Sequence, residues 1–93
     1  MFVVLIEATT QAENGRRLGD RHAVIAIVDC EESECMTRAA VELESRGWSA
    51  VECKRYGAVV ADAPADGPLA AAIADAKDSG IALVVYDTPI ARN

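Results

Sequence analysis

The side chains of this chain best suited to chemistry crowd into one stretch, "IVDCEESECMTRAAVELESRGW", from Ile27 to Trp48. Two thiols, Cys30 and Cys35, stand among four acids, Asp29, Glu31, Glu32 and Glu34. A third thiol, Cys53, and the single histidine, His22, lie outside it. Zinc takes four ligands, usually in closely spaced pairs. His22 and Cys30 fall at opposite ends of one expected strand, about 26 Å apart at 3.3 Å per residue, and so do not share a metal. Cys53, mid-strand among apolar neighbours, reads as a small core residue. Cys30 and Cys35 alone make half a site. A thiol in the first helical turn gains from the helix dipole, but that dipole end is worth about half a charge. The full charges of Glu31, Glu32 and Glu34 outweigh it. The sequence therefore predicts no cofactor: the acids serve a helix start, and the cysteines fill space beside it.

Oxygen ligands offer a second chemistry. Asp29 and Asp87 each end an expected strand. In parallel strands both carboxylates reach one sheet edge, where with Glu31 they suit Mg²⁺ or Ca²⁺. In antiparallel strands the pair falls apart, leaving a solvated helix cap and a turn aspartate.

A basic loop is the third candidate. Arg16, Arg17, Arg21 and His22 surround Gly15 and Gly19; three arginines less Asp20 give +2 over residues 16–22. Glycine amides beside them suit an anion or an acidic partner surface. "GRRLG" lacks the lysine–hydroxyl pair and the following helix of phosphate loops, and its plainer role is a solvated hairpin tip. The lone histidine has no serine in a nucleophile-elbow motif, so hydrolytic catalysis has little to stand on.

Bulk properties narrow the classes further. The 93 residues make one domain, 52% hydrophobic but only 4% aromatic, so the core is aliphatic. Net charge is −6, from 15 acidic and 9 basic side chains, which disfavours nucleic acid. The longest apolar runs, "FVVLI" and "AVIAIV", are far short of a membrane span, and no signal peptide opens the chain. An odd cysteine count without an export signal points to reduced thiols and a cytoplasmic protein.

These residues need elements to position them. "MFVVLIEA" and "RHAVIAIVD" read as strands joined through Asn14-Gly15, a hairpin that sets Val4 opposite Ile25. Asp29 or Ser33 caps a helix whose stripe is Met36, Ala39, Ala40 and Leu43. Gly47 stops it in the left-handed conformation, and Trp48 folds back on Leu43. "SAVECKRY" alternates, with Val51 and Cys53 inward. "AVVA" (58–61) is strand or loop. Asp66 and Pro68 open a second helix, striped by Leu69, Ile73 and Ala76, that Gly80 closes before the strand "IALVVY".

The fold class is α+β: a two-layer sandwich, with "AVVA" as a strand completing a ferredoxin-like plait behind an extra N-terminal strand. With "AVVA" as loop, the sheet is mixed, with two parallel crossovers. In the plait both helices share one face, leaving an apolar face of roughly 350 Å² bare. The expected role is a small non-catalytic module that self-associates as a homodimer through that face or binds a protein partner. The alternative is a small enzyme, or a ligand- or cation-binding protein, using the strand-end acids.

Overall fold

A computed structural model describes residues 1–11, 17–59, 69–86, 88 and 90. The order is β1 (Phe2–Thr10), β2 (Arg21–Val28), α1 (Glu32–Ser45), β3 (Trp48–Ala58), α2 (Ala70–Ser79) and β4 (Ile81–Val85). The fold is α+β. Among the described residues four strands form one sheet in the order β3-β1-β2-β4, with every neighbouring pair antiparallel.

That order departs from the plait. β3 runs unbroken through Ala58, and Val59 then donates to the Met1 carbonyl at 3.0 Å. No separate strand forms at 58–59, and residues 60 and 61 lie outside the described residues. The mixed-sheet alternative is not met either. β2 and β3 run the same way on either side of β1, so α1 makes one parallel crossover. α2 instead joins β3 to β4, which run in opposite directions at the two sheet edges.

The β1–β2 register differs by one residue from a hairpin centred on Asn14-Gly15. Val4 pairs with Ala26 and Leu5 with Ile25. Even-numbered residues of β1 thus share a face with even-numbered residues of β2. On that face Val4, Ile6, Ala8, Val24, Ala26 and Val28 pack against Cys35, Ala39 and Leu43 of α1. The helix stripe is therefore Cys35-Ala39-Leu43, an i, i+4, i+8 row, and Met36 turns outward. Neither Asp29 nor Ser33 caps α1: Glu31 holds the N-cap position with no side-chain hydrogen bond. The stop reads as expected. Gly47 has φ +88°, and Trp48 is buried in the same cluster as Leu43.

The other face carries a second cluster, in which Ala72 and Ala76 of α2 cover Ile27 and Ala82, with Ile25, Val84 and Val3 alongside. The helices accordingly lie on opposite faces of the sheet, and the fully bare face expected beneath a plait does not exist. α2 covers only the β2–β4 half of its face. Gly80 (φ +91°) ends α2 in the left-handed region, and its N–H donates to the Ala76 carbonyl at 2.8 Å. The expected cap at Asp66 and Pro68 lies outside the described residues.

Candidate functional site

Two members of the basic group, Arg21 and His22, do not share a face. Arg16 lies outside the described residues, and Arg17 is exposed at the hairpin. Arg21 and His22 are consecutive in β2, so their side chains leave opposite faces of the sheet. Arg21 reaches across β1 to β3. Its guanidinium donates to Glu52 Oε2 at 3.1 Å, Thr9 Oγ1 at 3.2 Å and the carbonyls of Ala50 and Glu7 at 3.0 and 3.3 Å. Arg21 Nε also lies 3.5 Å from the Glu7 carboxylate, and Lys54 pairs with both carboxylates, at 2.8 Å from Glu52 and 3.7 Å from Glu7. Two cations and two anions close on themselves here. The Lys54 hydrogen bond holds the Glu52 carboxyl below its ordinary range and lifts the Lys54 ammonium above its own. This neutral network occupies the half of the sheet face that α2 leaves open.

His22 goes into the core. It is 2% exposed, Nδ1 lies 2.8 Å from the Tyr86 carbonyl, and Nε2 has no hydrogen-bond partner. A histidine so enclosed does not serve as a surface anion ligand.

The two strands that lead to the acids run antiparallel. Val28 pairs with Ile81 at one end of the β2–β4 ladder and Val24 with Val85 at the other. Asp29, exposed, follows β2 at the first end, with its N–H donating to the Gly80 carbonyl at 2.9 Å. The chain leaves β4 at the second end, and Asp87 itself lies outside the described residues. The shared carboxyl edge that a cation site with Glu31 required is not formed by these strands. Among the described residues, no three His, Cys, Asp or Glu side chains converge in a way that could hold a metal.

The thiols gather around α1. Cys35 is fully buried, with Cys30 and Cys53 packed against its cluster. All three are free. Burial first, then the neighbouring Cys35, pushes the Cys30 and Cys53 thiols above their ordinary value. Arg38 works against this at Cys30 without reversing it. Thiols shifted this way are poor nucleophiles at neutral pH.

The feature that remains is an edge. Among the described residues, β4 pairs with β2 on one side only. Tyr86 donates to Ala23 at 3.0 Å and Asp29 to Gly80 at 2.9 Å. Alternation along an antiparallel ladder then turns the backbone groups of Ala82 and Val84 toward β2, and those of Ile81, Leu83 and Val85 outward. Ser79 Oγ lies 3.0 Å from the Ile81 carbonyl and 2.9 Å from that of Asp75, so its single proton is shared between the two. A groove of about 540 Å³ runs along this edge, lined by Ile81 to Val84, by Ala71, Ala72, Asp75, Asp78 and Ser79, and by Arg46. The opposite edge is different. β3 carries Glu52, Lys54 and Arg55, and its ladder with β1 shifts register twice. Charges and bulges are how proteins blunt an edge; β4, five apolar residues in unbroken register, has neither. The sequence signal for this was the uncharged run "IALVV", but only the strand order shows that it ends the sheet.

Comparison with family models, curated proteins and solved structures finds no match.

Proposed function

We propose that this chain is a non-catalytic protein-interaction module that receives an extended partner segment on the outer edge of β4. The observation that supports this is the contrast between the two sheet edges. One is bulged and charged; the other presents the backbone groups of Ile81, Leu83 and Val85 beside an open groove. Strand addition uses such backbone groups for affinity and the flanking side-chain pockets for choice of partner. Self-association by edge pairing is the second mode of the same surface, and it takes the place of a homodimer through a bare sheet face. No helix among the described residues is long and apolar enough to cross a membrane. The three free thiols favour the cytoplasm as the working compartment.

Amide hydrogen exchange tests the reading. A valine-rich extended peptide added to the protein slows exchange at Ile81, Leu83 and Val85 and leaves Ala82 and Val84, already bonded to β2, unchanged. Protection appearing along β3 instead would assign the partner to the wrong edge.

A further inference from the structure

We infer that the strand received at the β4 edge alternates basic and apolar residues, its basic side chains meeting Asp75 and Asp78 of α2. The inference rests on the edge-docking reading above and names the partner for it.

A strand laid along β4 sends successive side chains to opposite faces of the extended sheet. On one face stands α2, which presents Asp75 and Asp78 to the groove. Both are exposed, and among the described residues neither takes part in an ion pair. On the other face lie Ile81 and Leu83, with Arg46 also lining the groove. The Arg46 guanidinium is already engaged by Glu42, at 2.8 and 3.0 Å. One wall thus asks for cations and the other for apolar groups, and a period-two sequence satisfies both.

A second copy of the chain fits less well. Antiparallel pairing of β4 with itself places the two α2 helices on the same face, so Asp75 and Asp78 meet their own counterparts. Each copy also carries net charge −6. The five-residue edge spans about 17 Å, too short to supply the roughly 800 Å² per partner of a stable dimer without help from elsewhere.

The test uses three fluorescein-labelled hexapeptides, (Lys-Val)₃, (Ser-Val)₃ and (Glu-Val)₃, titrated by anisotropy against the whole chain, Asp75→Asn/Asp78→Asn and Leu83→Pro. Leu83 has its N–H outward, so proline there blocks docking while sparing the bonds to β2. The lysine peptide binds roughly five- to tenfold more tightly than the serine peptide, the worth of two exposed ion pairs. That advantage disappears in the double asparagine variant and in high salt, and binding disappears in Leu83→Pro. Amide resonances of Ile81, Leu83 and Val85 shift in the unmodified chain, a readout that needs no variant. Equal affinity for all three peptides, with those amides still shifting, overturns the basic preference and leaves edge docking standing. Lysine-peptide binding that leaves those amides unmoved overturns both. A peptide-free dimer that Leu83→Pro converts to monomer gives the edge to a second copy and overturns the inference. Absence of binding by every peptide does so as well.

Discussion

His22 and Trp48 meet edge to face in the core, ring centroids 5.8 Å apart and planes at 86°. His22 is 2% exposed and Trp48 5%. Because the Tyr86 carbonyl only accepts, His22 Nδ1 must donate to it at 2.8 Å. In the neutral form of the ring the proton therefore sits on Nδ1, and buried Nε2 has no hydrogen-bond partner. Nitrogen-15 chemical shifts of the neutral imidazole should show a protonated Nδ1 and an unprotonated Nε2. The reverse assignment would mean that the ring is turned over and that the end of β4 is not tied to β2 through this bond.

Trp48 closes the α1 stop on the same side of the sheet. It belongs to the same buried cluster as Leu43, Ala8 and Ile6. Trp48→Ala should cost about 3–5 kcal/mol in denaturant unfolding, the usual loss for a large buried aromatic. The tryptophan emission of the unmodified chain should lie well to the blue of a water-exposed indole. An emission maximum near that of free tryptophan sinks this packing.

Ala50 sits at φ +47°, the left-handed region that costs a side chain about 1 kcal/mol or more. It stands where the β1–β3 ladder shifts register, and its carbonyl accepts from Arg21 Nη1 at 3.0 Å. Ala50→Gly relieves the backbone and should leave stability unchanged or raise it by up to about 1 kcal/mol, whereas alanine-to-glycine changes inside a strand ordinarily cost about 0.5–1 kcal/mol. Arg21→Ala removes bonds to both β1 and β3 and should cost about 1–3 kcal/mol. Thermal unfolding of the two variants checks both signs; a destabilised Ala50→Gly would show that the strain has been misplaced.

Much of the frame was legible in sequence. Gly47 and Gly80 marked both helix ends because only glycine enters the left-handed stop without cost. Val51 and Cys53 faced inward because alternation in "SAVECKRY" leaves no other register. Phase was less legible. In β1 and β2 apolar residues fill both faces, so either pairing parity buries something, and the one-residue shift from Val4–Ile25 to Val4–Ala26 left no mark in composition. The same ambiguity let Met36 and Cys35 compete for the stripe of α1, a contest the smaller Cys35 won at the sheet surface. The candidate site was hidden more deeply. Asp75 and Asp78 read as ordinary helix acids and "IALVV" as an ordinary buried strand, since nothing local says which strand ends a sheet. Arg21 and His22 are adjacent in sequence, but a strand sends adjacent side chains to opposite faces, so their shared charge type marks no shared site.

The pH dependence of folding follows from the shifted groups. Glu52 is held below its ordinary 4.5 by Lys54, so its contribution is present above that value and is lost as pH falls through the depressed folded value. On the alkaline side four groups among the described residues are shifted upward: Cys30 and Cys53 from 9.0 by burial, Tyr56 from 10.0 by its hydrogen bond to Glu32, and Lys54 from 10.5 by Glu52. For each, the unfolded chain gives up its proton first, so stability falls as pH rises from the unfolded value through the raised folded one. Urea midpoints should therefore form a plateau between about pH 5 and 8.5 and decline on both sides. Cys53→Ser removes one of the alkaline groups, and its midpoint should fall less steeply between pH 8.5 and 10 than that of the unmodified chain. An identical alkaline slope in the two proteins would place Cys53 in water rather than against the α1 cluster.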